Sequence, residues 1–124
     1  SANKAIKVFT DFAYYCQSDS MSPVFLIKTA QVAKAANNIP QAKLVLDKCI
    51  EGYPSFKNMA AALFILAQLY DEPTYINNEI EAKRLYQKII DEYPKSDWVL
   101  SAKGAIGFIG KSDKQIMEEL KKKR

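Results

Sequence analysis

Residues 42–70 read AKLVLDKCIEGYPSFKNMAAALFILAQLY, and forty residues later 82–110 read AKRLYQKIIDEYPKSDWVLSAKGAIGFIG. Laid over each other, the two stretches share seven identities over 29 positions. These are Ala42/Ala82, Lys43/Lys83, Lys48/Lys88, Ile50/Ile90, Tyr53/Tyr93, Pro54/Pro94 and Ala62/Ala102. Chance on ordinary composition gives about two. Conservative pairs add to the match: Val45 with Leu85, Glu51 with Asp91, Leu66 with Ile106. A shift of 37 extends the pattern upstream, setting Ala5 on Ala42, Val8 on Val45, Leu26 on Leu63, Ala30 on Ala67 and Gln31 on Gln68. The three-residue difference falls in one loop, 71–79. A fixed period of this length is the mark of a repeat architecture, in which no unit buries its own apolar face alone.

Each unit reads as two helices. Residues 4–16 place Ala5, Val8, Phe9, Phe12, Ala13 and Cys16 on one face at three- and four-residue spacing. Residues 23–37 follow, with Ser22 as cap and Pro23 in the first turn, and Asn37-Asn38 breaking the helix. Further helices are expected at 40–53, 56–70, 78–93, 96–109 and 113–122. Pro54, Pro73, Pro94 and Gly110 stop four of them, and an Asn-rich loop follows Pro73. In the last helix Ile116, Met117 and Leu120 form the apolar stripe. No stretch alternates with period two and no Asn-Gly or Asp-Gly hairpin signal occurs, so the fold class is all-α. A chain of 124 residues at 48% apolar content makes one domain, 1–124.

The residue inventory works against catalysis. Histidine is absent, which removes the commonest general base and metal ligand. The glycines have no phosphate-loop spacing, no metal-ligand cluster appears, and no cofactor is expected. Gly104, Gly107 and Gly110, at three-residue spacing, are read as a close helix-packing face. Carboxylates sit at helix-surface spacing, pairing Lys43 with Asp47, Glu79 with Lys83, Glu118 with Lys122 and Glu119 with Lys123. Cys49 reads as a small core hydrophobe beside Val45, Leu46 and Ile50, and Cys16 as a helix-end residue. Two cysteines make no disulfide framework in a chain this size.

The net charge of +4 is carried by one end. Residues 1–102 hold eleven basic and eleven acidic side chains, and residues 103–124 hold seven and three. A basic tail of this kind suits a helix end, or alternatively nucleic acid or an anionic surface. The balance over 1–102 leaves no long stripe for tracking phosphates, so nucleic acid is not the expected partner. The longest uncharged run, Asn58 to Tyr70, is too short to span a bilayer. No signal-peptide pattern opens the chain, so any membrane attachment is expected through a tether outside it.

The helical pairs resemble tetratricopeptide repeats. Ala30, Ala42, Leu46 and Pro54 match the family's small, small, bulky and proline positions in one unit. Ala67, Ala82, Tyr86 and Pro94 do so in the next, with Tyr70 at the usual aromatic place and Gly107 beginning a third unit. The resemblance implies a right-handed α-solenoid of antiparallel helix pairs, about two full repeats with a half-repeat at each end. The phrases CIEGYPSF and IIDEYPKSD resemble the variant found in bacterial envelope proteins. These include the lipoprotein partner of the β-barrel assembly machine and the periplasmic coordinator of the Tol–Pal system. The ending IGKSDKQIMEEL resembles that of small tetratricopeptide proteins of Bacteroidetes-type bacteria.

That likeness implies a non-catalytic scaffold of the periplasm or outer membrane, binding a peptide or helix on its concave face. Carried over by position, the face is lined by Ile27, Gln31 and Lys34, then Phe64, Gln68 and Asp71, then Phe108 and Lys111. The lysine and asparagine with which the chaperone-binding subgroup holds a terminal carboxylate are replaced here by Ile27 and Gln31, so that mode is not expected. Residues 4–16 resemble the second helix of a pair whose first is missing. Weak self-association through their apolar flank, or its coverage by residues outside this sequence, is therefore expected.

Overall fold

A computed structural model describes residues 2–18, 25, 28–29, 31–32, 35, 39–72, 76–109, 111 and 113–122. Every regular element among these residues is helical. We label them α1 (Ala2–Ser18), α2 (Ile39–Gly52), α3 (Met59–Asp71), α4 (Glu79–Glu92), α5 (Val99–Phe108) and α6 (Asp113–Lys122). Between α1 and α2, residues 25, 28–29, 31–32 and 35 are also helical, and the Thr29 hydroxyl donates to the Phe25 carbonyl at 2.9 Å. The Ser22–Pro23 start, Ala30, the Asn37-Asn38 break, Pro73 and Gly110 lie outside the described residues.

The helices pack in chain order, α1 on α2, α2 on α3, α3 on α4 and α4 on α5. Short links make α2, α3, α4 and α5 successively antiparallel, whereas α1 and α2, with further helical residues between them, are joined at Cys16 and Cys49 near the C-terminal end of each and so run the same way. The centre is α3, in which Met59 through Ala67 and Leu69 are all buried. A helix that is apolar all round must be covered all round, and α2 and α4 flank it.

The forty-residue period is written in the backbone. After α2, the N–H of Tyr53 donates to Cys49 at 3.1 Å, Phe56 to Tyr53 at 2.9 Å, Met59 to Phe56 at 3.1 Å and Ala62 to Asn58 at 3.1 Å. After α4, Tyr93 donates to Ile89 at 2.9 Å, Ser96 to Tyr93 at 2.9 Å, Val99 to Ser96 at 3.3 Å and Ala102 to Trp98 at 2.9 Å. The two turns are the same turn. Proline follows each tyrosine because a residue without an N–H cannot extend the helix. These turn bonds explain why α3 and α5 begin at Met59 and Val99, three residues later than the sequence spacing predicts.

The side chains keep the period as well. Ala42 and Ala82 are 2% and 0% exposed, and Ala62 and Ala102 are both fully buried. Small residues at these places let helix backbones approach, and Ala67 is buried in the same way. The α3–α4 loop closes on α3 through Ile76 N–H to Leu69 at 3.2 Å and Asn78 N–H to Tyr70 at 2.7 Å. Asn77 takes the left-handed backbone (φ 56°) that asparagine tolerates better than most residues. Asn78 then caps α4, its side chain accepting the Glu81 N–H at 3.1 Å.

Two expectations are corrected. Cys16 and Cys49 are joined in a disulfide, with Cα atoms 5.9 Å apart. Both are buried, so each is the core residue the stripes indicate, but the pair also staples the end of α1 to α2. Periodicity places residues on faces and says nothing about which two faces meet. Gly104 and Gly107 are not a close-packing face, because a Cβ on either would meet open space.

Candidate functional site

The residues expected on the concave face have different fates. Ile27 and Lys34 lie outside the described residues. Gln31 is exposed and Gln68 half-buried, on helical segments one unit apart. Phe64 is only 9% exposed, so it supplies core rather than a free anchor. Its ring lies 5.5 Å from Tyr86 and 4.9 Å from Trp98. Asp71 accepts the Tyr86 hydroxyl at 3.2 Å. Burial, more than any neighbour, pushes the Asp71 carboxyl above its ordinary pKa. Phe108 is exposed at the end of α5. The ammonium of Lys111 contacts both carboxylate oxygens of Glu119 at 2.7 Å. None of these expected residues lines the two cavities described next.

The larger of the two lies at the second turn. A cleft of about 870 Å³ opens between the second turn and the start of α3. Tyr93 and Trp98, with Pro94 between them, form its ring-lined side, while Ala60, Ala61 and Ser101 are small enough to leave it open. Lys57, Glu92, Lys95 and Asp97 rim it with both signs of charge. The Ser96 hydroxyl accepts the Trp98 N–H at 3.1 Å, fixing the backbone that carries the indole. Burial, then the adjacent Glu92, raises the Tyr93 phenol pKa, so this side chain stays neutral at physiological pH. A smaller cavity of about 360 Å³ sits at the first turn, against Tyr53, Pro54, Phe56 and Cys16. Sequence reading missed the larger cleft. The signal was the forty-residue pairing of Phe56 with Ser96, where a bulky turn residue gives way to a small one.

Nothing in either cavity forms a nucleophile–base pair, and no cluster of metal-ligating side chains occurs among the described residues. None of their helices is long and apolar enough to cross a membrane. The surface ion pairs Lys43–Asp47, at 2.6 Å, and Glu81–Arg84 are helix-face pairs of small energetic weight.

Stacked helix pairs joined by one recurring turn define a helical-repeat protein of the solenoid class. Within it, residues 61–96, which run from inside α3 through α4 to the middle of the second turn, match the family model of the tetratricopeptide repeat. Repeats of this family generally mediate protein–protein interaction and are typically non-catalytic. No curated protein and no solved structure matches the chain.

Proposed function

We propose that this chain is a non-catalytic interaction module of a bacterial cell-envelope assembly, holding a peptide or helix of a partner protein. The observation that carries the binding reading is the open cleft beside Trp98, formed partly by residues that match the tetratricopeptide model. Tryptophan and tyrosine are the residue types that most often dominate interface energy. A rim with both charge signs gives orientation without demanding a charged partner. Gln31 and Gln68 on the concave side form a second seat, where amides both donate to and accept from a peptide backbone. The buried disulfide supports an oxidising compartment such as the periplasm, since disulfides persist there and are rare in reducing cytosol. The apolar flank of α1 through which self-association is expected is buried at Val8, Phe9, Phe12 and Cys16, which leaves Tyr14, 64% exposed, as the side chain through which weak self-association would run. A concentration-independent monomer in sedimentation would remove the self-association reading.

The test is affinity capture from envelope extracts, followed by binding measurements with the purified partner. Ser101→Trp fills the cleft from an exposed position, and Gln31→Ala with Gln68→Ala strips the concave seat. Both leave folding within about 0.5 kcal/mol of wild type. Loss of binding in Ser101→Trp alone assigns the cleft, and loss in the glutamine variant alone assigns the concave face. Full binding by both variants would overturn the proposal for either surface.

A further inference from the structure

The C-terminal helix has chemistry that the interaction reading leaves unused. Among the described residues α6 belongs to none of the packed neighbour pairs that build the solenoid. One tie to the rest is the Lys111–Glu119 ion pair, with the Lys111 N–H donating to the Phe108 carbonyl at 3.2 Å. Met117 and Leu120, three residues apart and so on one face, are 55% and 45% exposed. Lys114 and Lys121 lie three residues before and four after Met117, which places them along one border of that face. Glu118 and Glu119 project from the opposite side of the helix, where Lys111 neutralises Glu119, and Asp113, four residues before Met117, is the acidic position that shares the apolar face. Lys122, Lys123 and Arg124 complete an end that carries the chain's whole net charge.

We propose that α6 is a membrane-contact helix, its Met117–Leu120 face seated in an anionic phospholipid surface and its lysines against the headgroups. The inference stands apart from the partner-binding reading and does not rest on it. Charge complementarity selects the occupant. Exposed apolar side chains bordered by lysines match an interface whose acyl boundary is apolar and whose headgroups are negative. A nucleic-acid backbone has the charge but nothing to take up Met117 and Leu120. Each lysine near such a surface is worth roughly fivefold in binding, so contact is reversible and weak in salt.

The test uses the full chain with its disulfide intact, sedimented with vesicles of phosphatidylcholine alone or mixed with phosphatidylglycerol. Binding is expected only to the mixed vesicles and should fall steeply with salt. Lys114→Glu with Lys121→Glu, and separately Met117→Ser with Leu120→Ser, should each weaken it about tenfold or more. Circular dichroism reports whether each variant keeps its helices. Hydrogen exchange on the wild-type chain is a second readout and should slow over residues 113–122 when mixed vesicles are added. Equal binding to both vesicle types, no slowing over α6, or serine variants that bind as wild type would overturn the proposal. So would salt-sensitive binding to duplex DNA with none to the mixed vesicles.

Discussion

The turn at 53–58 and the turn at 93–98 share a backbone and differ in almost everything attached to it. Both repeat four hydrogen bonds at the same spacing. In the first, Phe56 turns inward to 5% exposure and joins the core. In the second, Ser96 stands at that place, and the aromatic mass moves two residues on to Trp98, against Phe64. The first turn adjoins a cavity of about 360 Å³ and the second a cleft of about 870 Å³. The Tyr-Pro pair and the buried alanines thus set the architecture, while the remaining turn positions are free to specialise. One unit uses them to close its core and the other to leave a surface open.

Position 56/96 gives the largest expected effect. Phe56→Ser should destabilise the fold by about 3–5 kcal/mol, because a buried aromatic leaves both a transfer loss and a cavity. Ser96→Phe should stay within about 1 kcal/mol, because the cleft has room. Denaturant unfolding of the two variants measures the asymmetry, and equal losses would mean that the second turn is as closed as the first.

The next pair is 49/89, a bridged sulfur against a plain isoleucine that is fully buried. Closing a loop over a sequence separation of 33 restricts the unfolded chain by roughly 3–4 kcal/mol. Reduction with a dithiol should therefore lower stability by about that amount. Exchange should speed up first in α1, while the α4–α5 unit keeps its protection. Uniform loosening of both units would contradict the idea that the staple serves the first.

At 42/82 both units hold alanine, so the comparison predicts equal behaviour. Ala82→Trp should cost at least about 1–3 kcal/mol by overpacking, and Lys83→Trp next to it very little. Matching melting temperatures for these two variants would place the repeat register wrongly.

Position 46/86 gives the smallest effect and a pH signature. Leu46 is apolar, whereas the Tyr86 hydroxyl donates to Asp71. Tyr86→Phe should cost about 1 kcal/mol. Burial raises the pKa of Asp71 in the fold, so the folded chain holds its proton to higher pH than the unfolded chain. Stability from this site is therefore fullest at low pH and declines as pH rises through the raised value. Glu81 runs the other way. The hydrogen bond from Arg84 lowers its pKa, so its contribution is lost as pH falls through the lowered value. Stability curves of Asp71→Asn and Glu81→Gln against pH separate the two signs.

What could be read from the sequence follows from these pairs. Identities at Ala42/Ala82 and Tyr53-Pro54/Tyr93-Pro94 fixed the period, and the backbone repeats it bond for bond. Amphipathic helices such as α4 showed their inner face through Ala82, Leu85, Tyr86 and Ile89, all buried. In α3 the same method had nothing to work with, since an evenly apolar helix has no preferred face. The family positions carried over by resemblance place Phe64 in a groove, whereas its side chain belongs to the core. The disulfide and the cleft both arise where separate elements meet. One depends on the approach of α1 to α2, the other on a serine opposite two alanines.

Trp98, the chain's single tryptophan, stands at the open second turn. Its fluorescence therefore reports on the cleft without any label. Titrating the captured partner into the wild-type chain should shift the emission to the blue and protect it from acrylamide, and Ser101→Phe, which fills the cleft without adding an indole, should show no saturable change. Saturable binding that leaves the emission and quenching of Trp98 unchanged would contradict the account.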